Sequence, residues 1–119
     1  MSNIEKYINK YPKLFQGQEP ISGYEIGPGW NVIMENLMEL LENEISRLPA
    51  DEQPDYYLCQ VKEKFGKLRV YLSQSTQFMD GAIEFAETIS SYTCEKCGGS
   101  GSLRKGPWIR TLCDNCYKD

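Results

Sequence analysis

The chain has 119 residues, enough for about one domain with a modest core, and its aromatic share of 12% argues against a disordered polymer. The formal net charge is −4, and no histidine is present, which removes the commonest general base and every imidazole metal ligand. No apolar run approaches the roughly 18–20 residues that a membrane span requires, and the first residues lack the apolar stretch of a secretory signal. We therefore expect a cytoplasmic protein without a membrane segment.

Charge is distributed unevenly along the chain. Residues 1–93 carry 8 lysines and arginines against 14 acidic residues, a balance of −6, whereas residues 94–119 carry 5 against 3, a balance of +2. This distribution argues against long-range attraction of the whole molecule to nucleic acid, but it leaves room for a local basic patch. Together with the motifs below, it predicts an α+β domain over residues 1–93 and a zinc-ribbon-like module over residues 94–119.

The first segment of the chain reads as a helix followed by a loop. Apolar spacing over residues 3–11 predicts a short helix that ends at Pro12. Residues 16–29 contain four glycines and two prolines, so we expect mostly loop there. One short strand is expected within this loop, through Ile21, Tyr24 and Ile26.

A long amphipathic helix is predicted after the Gly27-Pro28-Gly29 breaker, and Pro49 ends it. Its apolar residues recur at helical spacing: Trp30, Ile33, Met34, Leu37, Leu41, Ile45 and Leu48. Its other side is acidic, through Glu35, Glu39, Glu42 and the nearby Glu44. Such a side is usually only a solvated surface, although it can also meet a basic partner.

Residues 56–73 predict a β-hairpin, and the numbering of their apolar residues constrains its register. The two apolar sets are Tyr57, Cys59 and Val61 in the first strand and Leu68, Val70 and Leu72 in the second. Because side chains alternate between faces, these sets meet only if opposed positions sum to an odd number, as Val61 with Val70. The loop must then contain an even number of residues. Phe65 suits positive φ poorly, which favours a four-residue loop (64–67) over a two-residue one.

The same register gathers four cations on the opposite face of the hairpin: Lys62, Lys64, Lys67 and Arg69. We expect no acidic neighbour on that face to offset them. The face therefore either contacts phosphate or uses lysine to discourage the pairing of further strands.

A second amphipathic helix is predicted over residues 76–91, with Ser75 or Thr76 as its N-cap. Its apolar face is expected to run through Phe78, Ala82, Phe85 and Ile89, flanked by Met79, Ile83 and Ala86. The N-terminal part thus predicts an α+β fold in which two amphipathic helices pack on a β-hairpin.

Four cysteines near the C-terminus have the spacing of a two-knuckle metal site. Cys94 and Cys97 are separated by two residues, as are Cys113 and Cys116, and fifteen residues lie between the pairs. Two residues between thiolates let one tight turn aim both sulfurs at a common point, and two such turns complete the tetrahedron that Zn²⁺ accepts. Because all four ligands are protein thiolates, the sequence predicts one structural zinc ion with no position open for catalysis.

The residues between the knuckles favour a zinc ribbon. Three glycines give the first knuckle a permissive backbone, and two short strands, through Leu103 and over residues 108–112, are expected around a turn at 105–107. Two disulfides conflict with a reducing cytoplasm, and a redox motif conflicts with two cysteine pairs, whereas an iron–sulfur cluster remains open. The fifth cysteine, Cys59, is expected to be a small buried apolar residue.

Four sequence blocks occur in order along the chain. They are Gly27-Pro28-Gly29-Trp30, residues 61–71 (Val-Lys-Glu-Lys-Phe-Gly-Lys-Leu-Arg-Val-Tyr), residues 93–98 (Thr-Cys-Glu-Lys-Cys-Gly) and residues 108–113 (Trp-Ile-Arg-Thr-Leu-Cys). Over residues 27–116 this combination resembles a widespread group of small, mostly uncharacterised proteins of phages and prophage-bearing bacteria. The resemblance implies a phage or mobile-element origin and a role in host takeover or in opposing host defence. It brings no active-site residues, and Cys116 stands where we expect a histidine in some relatives.

From these features we expect a small, zinc-stabilised, noncatalytic binding protein that docks on a host or phage protein. No recognisable motif pairs the carboxylates and tyrosines that an enzyme would have to use, among them Glu25, Glu63, Asp80, Tyr24 and Tyr71. The alternative is a nucleic-acid-binding module in which cations contact phosphate and an aromatic side chain stacks on a base. Its candidate patch consists of Lys62, Lys64, Lys67, Arg69, Arg104, Lys105, Trp108 and Arg110.

Overall fold

A computed structural model describes residues 4–118 as helices packed with a three-stranded sheet, followed by a C-terminal hairpin that carries the four cysteines. The predicted α+β fold class is therefore confirmed. Within this range no helix is long and apolar enough to cross a lipid bilayer. In chain order the elements are α1 (Ile4–Lys10), α2 (Pro12–Phe15), β1 (Tyr24–Glu25), α3 (Asn31–Arg47), β2 (Leu58–Lys64), β3 (Lys67–Leu72), α4 (Gln77–Ser90), β4 (Ser102–Arg104), β5 (Arg110–Leu112) and α5 (Asp114–Lys118), with single 3-10 turns at Pro28–Trp30 and Gln53–Asp55.

The core is built around α3, whose length and position match the prediction. This helix buries one continuous face: Ile33, Met34, Leu37, Met38, Leu41 and Ile45. These side chains share one apolar cluster with Val61, Leu68 and Val70 of the β2–β3 hairpin and with the buried residues of α1 and α2. The predicted first helix is confirmed as α1, although residue 3 lies outside the described residues. Pro12 starts α2, where its missing N–H leaves no helical bond unmade.

The acidic side of α3 is used within the fold. Glu35 accepts a hydrogen bond of 2.7 Å from a tyrosine hydroxyl of α1, and Glu42 accepts from two backbone N–H groups at the start of α2. Glu44 accepts from the hydroxyl of Thr76, just before α4. Three of the four glutamates therefore position neighbouring helices, and Glu39 is the one left exposed with no such bond among the described residues.

The sheet has the order β1-β2-β3. β2 and β3 are antiparallel with Val61 opposite Val70, which confirms the register predicted from the numbering. β1 adds a parallel strand on the other side of β2, with Tyr24 aligned to Val61. The predicted short strand is thus confirmed at Tyr24, but Ile21 lies outside it and is exposed.

The β2–β3 turn has two residues, so the predicted four-residue loop (64–67) is wrong. Phe65 and Gly66 both have positive φ, 54° and 81°, as a type I′ turn requires. The N–H of Gly66 donates to the Glu63 carboxylate, and the carbonyl of Gly66 accepts from the Thr111 hydroxyl. These two hydrogen bonds offset the strain at Phe65. Thr111 belongs to a distant segment, so the turn preferences of the residues around Phe65 do not predict its hydrogen bond.

A bulge interrupts β2 between Leu58 and Gln60. It turns Leu58 into the core and leaves Tyr57 exposed, so the predicted alternation through Tyr57, Cys59 and Val61 holds only at its end. Cys59 lies at the bulge and is half-buried, with its sulfur 4.0 Å from the Tyr57 carbonyl oxygen. The expectation that Cys59 is a small buried apolar residue is therefore wrong, because Cys59 is only half-buried.

Side chains of α4 cover the free edge of β3. The hydroxyl of Ser90 accepts from the N–H of Leu68 at 2.9 Å, and the carboxylate of Glu87 accepts from the N–H of Val70 at 3.1 Å. These N–H groups would otherwise be free to pair with another strand. Glu87 also pairs with Arg69 at 3.3 Å, so the expectation that no acid lies near the hairpin cations is wrong.

The buried face of α4 is centred on Met79 and Ala86, which were expected only to flank it, while Ala82 and Ile89 are partly buried against the core. Thr76 is the N-cap, as predicted, because its hydroxyl accepts from the N–H of Met79. The buried residues are Met79, Ala86 and Ser90, whereas Phe78 and Phe85 are exposed. The bonds that α4 makes to β3 fix its rotation, and at that rotation the two phenylalanines face solvent.

Candidate metal centre

The first knuckle is a single turn that begins at Cys94. The N–H of Gly98 donates to the carbonyl of Cys94 at 2.9 Å, and Gly98 has a φ of 84°, which glycine adopts without strain. The N–H of Cys94 donates to the carbonyl of Gly99 at 2.7 Å and closes the loop. The N–H of Gly99 lies 3.4 Å from the sulfur of Cys97, so the backbone supplies a donor to a candidate metal ligand.

The second knuckle is built at the start of α5. Cys113 immediately precedes this helix, and Cys116 lies on its first turn. The N–H of Cys116 donates to the sulfur of Cys113 at 3.3 Å, and the N–H of Tyr117 donates to the carbonyl of Cys113 at 2.9 Å. The antiparallel strands β4 and β5 lie between the knuckles, as predicted, and β5 ends directly before Cys113.

The four sulfurs converge on one point. All lie within 4.8 Å of one another, and those of Cys97 and Cys113 are 3.6 Å apart. A tetrahedral Zn²⁺ with sulfur ligands at about 2.3 Å separates its ligand atoms by roughly 3.8 Å. The four cysteines are free thiols, so their geometry suits one metal ion better than two disulfides. A cluster of this kind fills every ligand position of a tetrahedral ion with protein sulfur.

The pKa values of the four thiols are shifted in different directions. Burial opposes ionisation of Cys94, yet backbone N–H donors, led by that of Cys113, lower its pKa from 9.0 to about 6. The N–H of Cys116 lowers the pKa of Cys113, whereas the neighbouring sulfurs of Cys113 and Cys94 raise the pKa of Cys116 to about 12. Sulfurs at these separations compete for protons because several adjacent thiolates repel one another. A bound dication is the counter-charge that lets all four ionise.

The Gly27-Pro28-Gly29-Trp30 block packs directly against the first knuckle and hydrogen-bonds to its backbone. The N–H of Gly29 donates to the carbonyl of Glu95 at 2.9 Å, and the indole N–H of Trp30 donates to the carbonyl of Thr93 at 2.9 Å. A Cβ at Gly29 would lie only 2.0 Å from the carbonyl oxygen of Cys94. The block therefore does more than start α3, because the close approach of two backbones requires glycine there.

The tip of the β2–β3 hairpin also packs against the cysteine-bearing hairpin. The hydroxyl of Thr111 donates to the carbonyl of Gly66 at 2.6 Å, and a Cβ at Gly66 would lie 2.7 Å from the Leu103 side chain. Inside the module, the buried carboxylate of Glu95 accepts from the N–H of Thr111 and from Arg110 at 3.0 Å. The C-terminal module is thus bonded to the rest of the protein through two separate segments.

The predicted basic patch is distributed over two hairpins, β2–β3 and β4–β5. The hairpin members occupy paired positions on β2 and β3: Lys62 opposite Arg69 and Lys64 opposite Lys67. Lys64 lies with Trp108 at a concavity between the hairpin tip and the β4–β5 loop. The other members, Arg104, Lys105 and Arg110, line a second concavity that also contains Trp108. Both of these arginines form ion pairs within the C-terminal module.

The groups weighed for an enzymatic role lie on four elements, with only Tyr24 and Glu25 adjacent, on β1. Glu63 is bonded at the hairpin turn, and Asp80 accepts from the Ser75 hydroxyl at the start of α4. The hydroxyl of Tyr24 is buried and has no hydrogen-bond partner among the described residues, and burial raises its pKa. Glu25 and Tyr71 are exposed on β1 and β3.

Two site residues escape sequence reasoning. Glu95 sits between the first two cysteines and looks like an exposed knuckle residue, yet it is buried. Trp30 reads as the first apolar residue of a helix, and nothing local indicates its bond to Thr93. The only sequence signal for Glu95 is that it is the one acidic residue among residues 94–113, a stretch that also contains Arg110.

Comparison of the chain with protein-family models, with curated proteins and with solved structures finds no match. The class of the protein is therefore defined by its own fold and site. It is a mixed α+β protein whose C-terminal hairpin carries four clustered cysteines that can bind one metal ion.

Proposed function

We propose that this chain is a noncatalytic binding protein whose C-terminal module is folded around one structural zinc ion. The chemistry of the donor set supports zinc, because four thiolates close its tetrahedron and leave no position for substrate or water. The absence of histidine from the sequence is consistent with a noncatalytic role. The ligands are Cys94, Cys97, Cys113 and Cys116. The resemblance to phage and prophage proteins supports action in a host cytoplasm, during host takeover or against host defence.

An apolar groove between α3 and α4 carries the docking proposal. Its volume is about 320 Å³, and Leu40, Ala82 and Ile89 are among its lining residues. Val32 on one wall is 68% exposed, and Phe85 on the other is 66% exposed. Large apolar side chains this exposed, gathered at one groove, are typical of a surface that another macromolecule covers.

The occupant that fits this groove is an amphipathic helix of a partner protein with lysines or arginines beside its apolar face. α3 carries four carboxylates and α4 carries three, against Arg47 alone as a cation, so the helix pair has a balance of −6. The apolar side chains of an incoming helix fill such a groove at helical spacing. Its basic residues are attracted to the carboxylates of the pair that are exposed and form neither an ion pair nor a side-chain hydrogen bond among the described residues, Glu39 and Glu84, and the same charges disfavour acidic competitors.

A capture experiment with matched variants tests this proposal. The full-length, zinc-loaded chain is used as bait in nuclease-treated host lysate, beside a Val32→Asp/Phe85→Asp double variant and an Ile21→Asp control. Ile21 is an exposed apolar residue outside the groove. We expect one protein to bind wild type and control and to bind the double variant about 30-fold more weakly, since two central anchors are lost. Cross-links from the groove are expected to map to a basic amphipathic helix of that protein.

The zinc content of each bait is measured, so that loss of binding is not mistaken for misfolding. Equal retention of the captured protein by the double variant would contradict the groove as docking site. Capture of proteins from untreated lysate alone, with none retained after nuclease treatment, would contradict protein docking altogether. A bait that is a dimer, and that the double variant converts to a monomer, would identify a second copy of the chain as the occupant instead.

A further inference from the structure

Three exposed aromatic side chains, Phe65, Trp108 and Tyr117, line two adjoining concavities at the tip of the β2–β3 hairpin and on the C-terminal module. Phe65 and Trp108 line a concavity of about 400 Å³, and Trp108 and Tyr117 line a neighbouring one of about 430 Å³. The two concavities share Gly106, Pro107 and Trp108, so they form one continuous surface, which we call the aromatic strip. Trp108 lies at its centre and is 76% exposed.

The aromatic strip is rich in cations. Among the described residues a single carboxylate, that of Glu63, lines its two concavities. The five cations that line them are Lys64, Lys96, Arg104, Lys105 and Arg110. The arginines are engaged inside the module, Arg104 with Asp114 at 2.7 Å and Arg110 with Glu95 at 3.0 Å.

The three lysines of the aromatic strip form no ion pair within the described part of the chain. Cations also stand over two of the aromatic rings, Lys64 at 5.9 Å from the centre of Phe65 and Arg104 at 4.4 Å from that of Tyr117. Positive charge therefore lies beside each flanking aromatic residue, which is the arrangement that a chain of alternating bases and phosphates requires.

We propose that the aromatic strip binds single-stranded nucleic acid, with an unpaired base stacked on Trp108 and with phosphates contacted by Lys64, Lys96 and Lys105. Stacking needs bases that are free of a complementary strand, which disfavours a duplex. The duplex is disfavoured further because residues 1–93 carry a balance of −6, and a duplex has the denser phosphate charge. The aromatic strip is separate from the α3–α4 groove, so this proposal is independent of protein docking there.

The two tryptophans provide a specific probe. Trp30 is fully buried in the core, so a change of intrinsic fluorescence on binding reports mainly on Trp108. The full, zinc-loaded chain is titrated with a twelve-nucleotide oligothymidylate, with oligouridylate of the same length, and with a duplex of the same length. We expect saturable quenching by the single strands at 50 mM salt. With three phosphate contacts, the affinity is expected to fall about 20-fold between 50 and 200 mM salt.

Variants are compared by the anisotropy of a labelled oligonucleotide. Trp108→Ala is expected to weaken binding by about 5- to 150-fold, whereas Trp108→Phe keeps an aromatic face and most of the affinity. Lys105→Ala is expected to reduce the slope of log affinity against log salt by about 0.7. Lys13→Ala removes an exposed cation from α2, far from the aromatic strip in the sequence and absent from its lining, and leaves affinity and slope unchanged.

Three outcomes would overturn the proposal. The first is no binding of either single strand at 50 mM salt. The second is equal affinity of wild type and Trp108→Ala, and the third is tighter binding of the duplex than of the single strands. The Val32→Asp/Phe85→Asp variant should bind oligonucleotide as wild type does, so failure at the groove and failure at the aromatic strip are distinguishable.

Discussion

Replacing Gly29 by alanine tests the contact between the start of α3 and the first knuckle. The new Cβ would lie 2.0 Å from the Cys94 carbonyl oxygen and 2.7 Å from the backbone nitrogen of Gly98. Both neighbours are backbone atoms of the metal site, so the knuckle itself must move. We expect about 1–3 kcal/mol from overpacking and about 1 kcal/mol from weakening the Gly29–Glu95 hydrogen bond. The free energy of unfolding should therefore fall by about 2–4 kcal/mol.

Thermal unfolding of the zinc-loaded protein, followed by circular dichroism, measures this loss. An unfolding entropy of about 2.1 cal/mol/K per residue gives roughly 0.25 kcal/mol/K for 119 residues. The expected decrease in Tm for Gly29→Ala is then about 8–16 °C, and zinc should be released faster to a competing chelator.

Gly81→Ala is the matched control, because this glycine lies within α4 and a Cβ there meets nothing within 4 Å. Removing a helical glycine should raise stability by about 0.5–1 kcal/mol. A Gly29→Ala protein with the Tm and the zinc release rate of wild type would show that the first knuckle does not depend on the close approach of these two backbones.

Three further predictions concern hydrogen bonds and pH. In urea unfolding, Tyr7→Phe should destabilise the protein by about 1–2 kcal/mol, because it removes the hydrogen bond to Glu35. Tyr24→Phe should be neutral or stabilising, because the buried Tyr24 hydroxyl has no hydrogen-bond partner among the described residues. A loss of stability at Tyr24 as large as that at Tyr7 would contradict this. Burial raises the pKa of the Tyr7 hydroxyl above its ordinary value of 10. The contribution of Tyr7 to the free energy of unfolding is therefore fully present below about pH 10 and is lost above it, because there the unfolded chain releases the phenolic proton and the folded protein keeps it. Tyr7→Phe should reduce the slope of the free energy of unfolding against pH by up to about 1.4 kcal/mol per pH unit. Thr111→Val should cost about 1–3 kcal/mol by leaving the Gly66 carbonyl without its donor, and an unchanged urea midpoint would show that the hairpin tip does not depend on this bond.

The elements that sequence alone predicts well are those set by strict periodicity or strict chemistry. Opposed residues of a hairpin share a face, so the spacing of its apolar sets required Val61 to meet Val70, and they do. The four cysteines needed only their spacing, because two short knuckles satisfy one tetrahedral ion. α3 followed from seventeen residues of uninterrupted helical periodicity.

The features that sequence did not predict depend on contacts between distant segments. A phenylalanine at positive φ is unfavourable locally, and Phe65 adopts it next to a glycine that Thr111 holds from the C-terminal module. The rotation of α4 follows from bonds between its polar side chains and β3, which apolar spacing does not contain. The same holds for Gly29, whose need for a bare backbone appears only when the first knuckle lies against it.

We propose above that one zinc ion, bound by four cysteines, folds the C-terminal module. Metal analysis of the full chain, purified without chelator, tests it most directly, with Cys113→Ser measured in parallel. We expect about one zinc per chain, no stoichiometric iron, and loss of the metal in the variant. Less than a tenth of an equivalent of zinc in the wild-type protein, or iron in its place, would contradict it.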